Sequence, residues 1–274
     1  MKQMTLKTRN RYTLTFSTFF LFFSLFTCAY FVYRMNSVIK GESFLNYGVL
    51  LKDASLFSPC YLAVALSCLF MALYIPAISF YIYARFEKTP SSEVAYLILF
   101  LLGCLPEFAR LFIPLETVQK NLPSFLVIAG RALFWGRTLS VVSLFAASIF
   151  SSKSKGLETE QNIIVLLVFS LALANIVPVN TTKITPSFSI EIGWNNFVQL
   201  TYAVAIILTA ASYAVNAALN ENSLYIRMGI GIFCIEFGCF ILNTSAVLAF
   251  SAVGAILLIV GTMRALSALH KLYT

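Results

Sequence analysis

Five ionisable side chains interrupt long apolar runs of this sequence: Glu107, Arg110, Arg131, Arg137 and Glu236. Even on a lenient insertion scale, a charge at the centre of a membrane helix costs about 2.5 kcal/mol or more, so such groups face protein or a water-filled cavity and find partners there. A guanidinium is planar and matches carboxylate or phosphate in a bidentate way. Two carboxylates and two guanidiniums in one layer therefore form either a site for a small polar or anionic group or a self-satisfied ionic network. Glu107 and Arg110 stand three residues apart, close enough on a helix for one to reach the other. Arg131 lies on the next apolar run and is the expected ion-pair partner of Glu107. Arg137, six residues further on, is turned by roughly 240° from Arg131 on a helix, which predicts that it pairs elsewhere or snorkels. Asn175, Gln199, Tyr202 and Glu236 are expected to complete the layer, and Pro106 to kink the helix that carries Glu107. The expected ligand-binding residues are thus Glu107, Arg110, Arg131, Glu236, Asn175, Gln199 and Tyr202.

Other chemistries lack their residues. With His270 as the sole histidine, the usual zinc constellations and the intramembrane metallohydrolase sites cannot be assembled. A rhomboid-type serine protease would also need an intramembrane histidine. The last apolar run has no lysine between Gly254 and Gly261 for a retinal Schiff base. No glycine-rich phosphate loop is present, since Gly229 and Gly231 lie in an apolar helix where close packing explains them. The cysteines form no Cys-x-x-Cys pair and read as small apolar residues. No cofactor is expected, and no catalytic constellation is recognisable.

Composition identifies the elements that must hold these charges. Hydrophobic residues make up 59% of the 274 and charged residues 11%, against about 25% charged in soluble domains. The formal charge of +8 does not indicate nucleic acid, because the basic residues are scattered between apolar runs rather than gathered on one face. About 20 apolar residues cross a hydrocarbon core as a helix. Eight such runs are predicted, at 12–33, 58–84, 94–115, 123–150, 163–179, 194–218, 224–242 and 245–266, the last two parted by a tight turn at Asn243-Thr244. The expected fold is all-α, a single polytopic transmembrane helical bundle.

An even number of crossings puts both termini on one side. Placing them in the cytoplasm gives eleven Lys and Arg inside (2, 7, 9, 11, 85, 88, 153, 155, 227, 264, 271) against five outside (34, 40, 52, 120, 183), as basic retention requires. A cleaved signal at Leu25-Phe26-Thr27-Cys28 is disfavoured by the bulky residues before the cysteine and the length of the apolar run. The segment 35–57 reads as an amphipathic surface helix or a plain loop. Small residues at Ala210, Ala214 and Ala218, and at Ser251 and Ala255, mark expected helix contacts.

The sequence thus predicts a multi-pass cell-membrane protein, with the lipid bilayer as its partner and a membrane protein or second copy as a further one. The leading functional reading is binding of a small polar or anionic ligand in an outward-facing pocket, receptor-like or transporter-like. The alternatives are an accessory subunit of a membrane complex and, third, a lipid-modifying enzyme.

Overall fold

The computed structural model of the protein describes residues 6–40, 56–89, 91–118, 123–151 and 159–273. Its helices are α1 (Leu6–Lys40), α2 (Tyr61–Phe86), α3 (Glu93–Cys104), α4 (Ala109–Val118), α5 (Pro123–Ile149), α6 (Thr159–Ile176), α7 (Asn195–Leu219), α8 (Ser223–Thr244) and α9 (Leu248–Tyr273). A 3₁₀ turn, Leu105–Phe108, joins α3 to α4, so the pair forms one continuous apolar segment. Among the described residues, eight segments are long and apolar enough to cross a membrane. The expected division between the last two segments holds, with α8 ending at Thr244 and α9 starting at Leu248. The surface segment expected between α1 and α2 lies mostly at 41–55, outside the described residues.

Consecutive segments run in alternate directions, as contacts at the two ends of the bundle show. At one end, Arg9 of α1 donates to the carbonyls of Phe86, the last residue of α2, and of Thr89 and Ser91 just past it, tying the start of α1 to the end of α2. At that same end Glu93, at the start of α3, accepts from Ser151 Oγ at 3.1 Å and from Tyr273 Oη at 3.1 and 3.0 Å. Tyr273→Phe removes the one hydroxyl donation that the two oxygens of a buried carboxylate share and is expected to cost about 1.5–3 kcal/mol, read as a lower unfolding midpoint in detergent. At the opposite end the Cys60 amide donates to the Ala246 carbonyl at 2.9 Å, joining the start of α2 to the α8–α9 turn.

Glycine sets how closely the segments approach. A Cβ on Gly231 would lie 2.7 Å from the Ala265 nitrogen, and one on Gly238 would lie 2.8 Å from the Gly254 oxygen, so α8 and α9 touch backbone to backbone. A Cβ on Gly229 would instead meet a side chain, 2.7 Å from the Tyr213 Cβ of α7. Ser251 of α9 is buried and Ala255 partly so, as expected for packing within the chain, whereas Ala214 and Ala218 of α7 are exposed and do not pack within it. The packed face of α7 is instead Ile206, Thr209, Tyr213 and Ala217.

A two-stranded antiparallel hairpin, β1 (Val179–Ile184) and β2 (Ile190–Ile192), follows α6 and is the one non-helical element among the described residues. It corrects the predicted fifth run, whose helix stops at Ile176 before Pro178. Val, Thr and Ile in Val179-Asn-Thr-Thr-Lys-Ile184 suit a strand, and the backbone hydrogen-bonds to itself through the ladder. The hairpin tip turns inward. Phe188, with a left-handed φ of 54°, packs edge-on against Tyr61 at a centroid distance of 5.2 Å. Ser187 and Ser189 are buried with it.

The outer surface is apolar while the interior holds charge. Phe22 and Phe26 of α1, Ile164 and Val168 of α6, and Phe197, Leu200 and Ile207 of α7 are all exposed. Soluble monomers rarely carry apolar patches of that extent.

Candidate functional site

Three charged side chains meet inside the bundle, level with the last turn of α8. Glu107, 2% exposed, sits in the 3₁₀ turn that Pro106 introduces between α3 and α4, so the expected break in this helix is present. Arg137 of α5 donates from Nε to Glu107 Oε1 at 2.6 Å and from Nη2 to Oε2 at 3.1 Å. Arg110, 1% exposed, reaches Oε2 from Nη1 at 3.4 Å. The two guanidiniums also close the end of α8: Arg110 donates to the Leu242 carbonyl at 2.9 Å and Arg137 to the Asn243 carbonyl at 3.1 Å. Those carbonyls belong to the last turn of a helix, where backbone oxygens lack partners and the dipole is negative, so cations are favoured there. Arg110 Nε donates to the Ser187 carbonyl at 2.8 Å, tying the hairpin tip to the network.

Close backbone approach makes the Glu107–Arg137 pair possible. A Cβ on Gly103 would stand 2.7 Å from both the Gly136 oxygen and the Ser140 nitrogen, which brings α3 against α5 one turn from each charge. Beside the pair, Cys104 Sγ and Cys239 Sγ lie 4.0 Å apart as free thiols in packing contact.

The predicted pairing of Glu107 with Arg131 is corrected: the partners are Arg137 and Arg110, and Arg131 is exposed on α5. Two physical reasons account for it. The Glu107 segment continues to Val118 rather than Leu115, which sets Glu107 roughly 4–5 Å further from that end than the sequence implied. Cα–Cβ bonds also tilt toward the helix N-terminus, so on antiparallel neighbours Glu107 leans one way along the bundle axis and Arg137 leans toward it, while Arg131 leans away. This tilt was the available signal for Arg137, and depth counted at Cα alone conceals it.

A cavity of about 60 Å³ opens beside the network between α5, α7 and α8, with Phe100 of α3 also lining it. Its walls carry Arg137, Tyr202, Gln199, Asn195, Asn243 and Glu236. Glu236, 3% exposed, accepts from Thr209 Oγ1 at 3.2 Å through Oε1, and its Oε2 has no partner. Tyr202 Oη shares a hydrogen bond with Thr138 Oγ1 at 2.9 Å. Gln199 is exposed at the cavity edge, where its amide donates to Asn195 at 3.2 Å. Asn175 stands apart, exposed and bonded back to the Leu171 carbonyl of its own helix at 2.9 Å. Of the seven expected residues, the structure brings Glu236, Gln199 and Tyr202 to the cavity, places Glu107 and Arg110 in the adjoining network, and leaves Arg131 and Asn175 outside both. Thr209, Thr138 and Arg137 join them.

A volume of 60 Å³ holds a few waters or a molecule of a few heavy atoms. Among the described residues, no group of three or more His, Cys, Asp or Glu is placed to hold a metal ion.

Over an alignment 103 positions long, this chain is 32% identical to a protein of Treponema pallidum (strain Nichols) described as uncharacterized, the match covering 35% of this chain and 28% of that protein. The matched stretch therefore spans little more than a quarter of the relative's length. No family model matches the chain, and no solved structure matches it.

Proposed function

We propose that this chain is a multi-pass protein of the cell membrane that crosses the bilayer eight times, with both termini in the cytoplasm. In this reading its outward-facing half binds a small polar molecule carrying a hydrogen-bond donor. Exposed phenylalanines and branched aliphatics outside, with charge sequestered inside, support insertion. The balance of basic residues and the grouping of segment ends support the orientation.

One observation carries the binding reading: the unpartnered Oε2 of buried Glu236 on the wall of a polar cavity. A buried acceptor left without a donor costs about 1–3 kcal/mol, and a ligand that donates to it recovers that cost. The ligand class is narrower than the polar or anionic one expected from the sequence. On the cavity wall Arg137 is engaged by Glu107 and the Asn243 carbonyl, and Arg110, whose buried Nη2 has no partner, does not line the cavity, so the unpaired group on offer there is the Glu236 carboxylate. A small amine or zwitterion fits, with its ammonium on Glu236 and its remaining polar atoms toward Tyr202 and Gln199.

Thermal unfolding of the purified protein against methylammonium, ethanolamine and glycine tests this. Wild type is expected to be stabilised by at least one of them, and Glu236→Gln to lose that response while keeping its own cooperative transition. A response unchanged in Glu236→Gln, or none in wild type, contradicts the binding reading.

A second reading, an accessory subunit of a membrane complex, is favoured by α6, of which only 11% is buried. It predicts a stoichiometric partner on co-purification, and that Ile164→Ala with Val168→Ala releases the partner without unfolding the chain.

A further inference from the structure

A second hollow lies at the other end of the bundle, away from the polar cavity. It measures about 320 Å³ and is lined by α1, α3 and α6. Ala95, Ile98, Leu99 and Leu102 form its floor, and Phe16 and Leu167 stand on its flanks. The three walls, α1, α3 and α6, belong to the first, third and fifth apolar segments, which run in the same direction, so their first turns lie together. Arg9 and Tyr12 of α1 and Glu160 of α6 therefore mark one end of the groove, and the apolar residues continue from there.

Its dimensions suit one occupant. From Arg9 to Phe16, from Ala95 to Leu102 and from Glu160 to Leu167 are seven residues each, a length of about 10 Å. At about 30 Å³ for each water-sized group, the volume holds about ten groups of that size, and apolar walls along that length suit a run of methylenes. The polar end is also chemically specific. Arg9 is 7% exposed, its Nη atoms are held by the Phe86, Thr89 and Ser91 carbonyls, and its buried Nε has no partner. An unpaired guanidinium donor and the exposed carboxylate of Glu160, both lining this end of the groove, complement a phosphate and an ammonium.

We infer that this groove holds one acyl chain of a zwitterionic glycerophospholipid of the phosphatidylethanolamine type, its phosphate toward Arg9 and its ammonium toward Glu160. The inference rests on the proposed membrane insertion. It assigns the lipid a fixed seat between α1 and α6, distinct from the general lipid contact of their outer faces.

The test uses the full chain in nanodiscs containing phosphatidylethanolamine with a diazirine on its acyl chain, irradiated and mapped by peptide mass spectrometry. Adducts are expected on 95–102 and 163–167. They should fall at least fivefold in Ala95→Phe, which fills the groove, while labelling of the outer face of α7 is unchanged. Leu167→Phe should act in the same way if Ala95→Phe does not fold. Labelling by the matching phosphatidylglycerol should be about threefold weaker, and Glu160→Gln should bring the two lipids level. Labelling spread evenly over α1, α6 and α7 and indifferent to both substitutions overturns the inference, as does a photo-crosslink from residues 1–5 into the groove, which would make the chain its own occupant. No adduct anywhere, α7 included, would instead contradict the membrane reading.

Discussion

Glu107→Ala is expected to destabilise the protein by about 3–5 kcal/mol, because it leaves two buried guanidiniums without their shared carboxylate. Arg110 keeps only backbone carbonyls, and Arg137 keeps only the Asn243 oxygen among its described partners. Arg137→Ala should be comparably severe, since Glu107 then retains a single contact at 3.4 Å to Arg110. Arg131→Ala, on an exposed face, should change stability by no more than about 0.5 kcal/mol. Denaturant unfolding of the purified protein measures all three. A double-mutant cycle isolates the pair: the Glu107–Arg137 coupling should exceed about 1.5 kcal/mol, and the Glu107–Arg131 coupling should vanish within about 0.5 kcal/mol. Equal couplings would restore the pairing that the sequence alone suggested.

Gly103→Val is the second large effect, expected to cost at least about 3 kcal/mol. Over-packing a helix contact alone costs about 1–3 kcal/mol. Here the atoms met at 2.7 Å are the Gly136 oxygen and the Ser140 nitrogen, backbone groups with no rotamer to yield, so α3 and α5 must separate. Separation draws Glu107 from Arg137 and adds part of the loss of a buried ion pair. The signature is non-additivity: once Arg137 is Ala, Gly103→Val should cost distinctly less than in wild type. Additive costs would show that the glycine contact and the ion pair are independent.

These two sites also show where sequence reading succeeds. A charge within an apolar run is conspicuous, and Glu107, Arg110 and Glu236 could be picked out because burial in a nonpolar medium demands a partner. The partner's identity was harder to read. It turned on three extra residues at the end of α4 and on the lean of side chains along antiparallel helices, neither of which a count of hydrophobic residues encodes. The eight segments were legible since lipid-length runs leave few alternatives, and Pro106 marked its own break. The hairpin was not, since Val179–Ile192 is short, polar in places and stabilised by Tyr61 and Arg110, which lie far off in sequence. The exposed Ala214 and Ala218 carry a similar lesson: small residues permit close packing without compelling it, and larger Tyr213 took that face because Gly229 opposite leaves room.

The measurement that bears most directly on the account is labelling of single introduced cysteines by a membrane-impermeant maleimide in intact cells. Lys183→Cys on the exposed strand β1 and Lys271→Cys near the end of α9 are the two positions. The account predicts that cysteine at 183 reacts from outside and that cysteine at 271 reacts only after the membrane is opened, with the protein staying in the pellet through alkaline carbonate. Labelling of both from the same side, or release of the chain by carbonate, would contradict eight crossings around a buried ionic core.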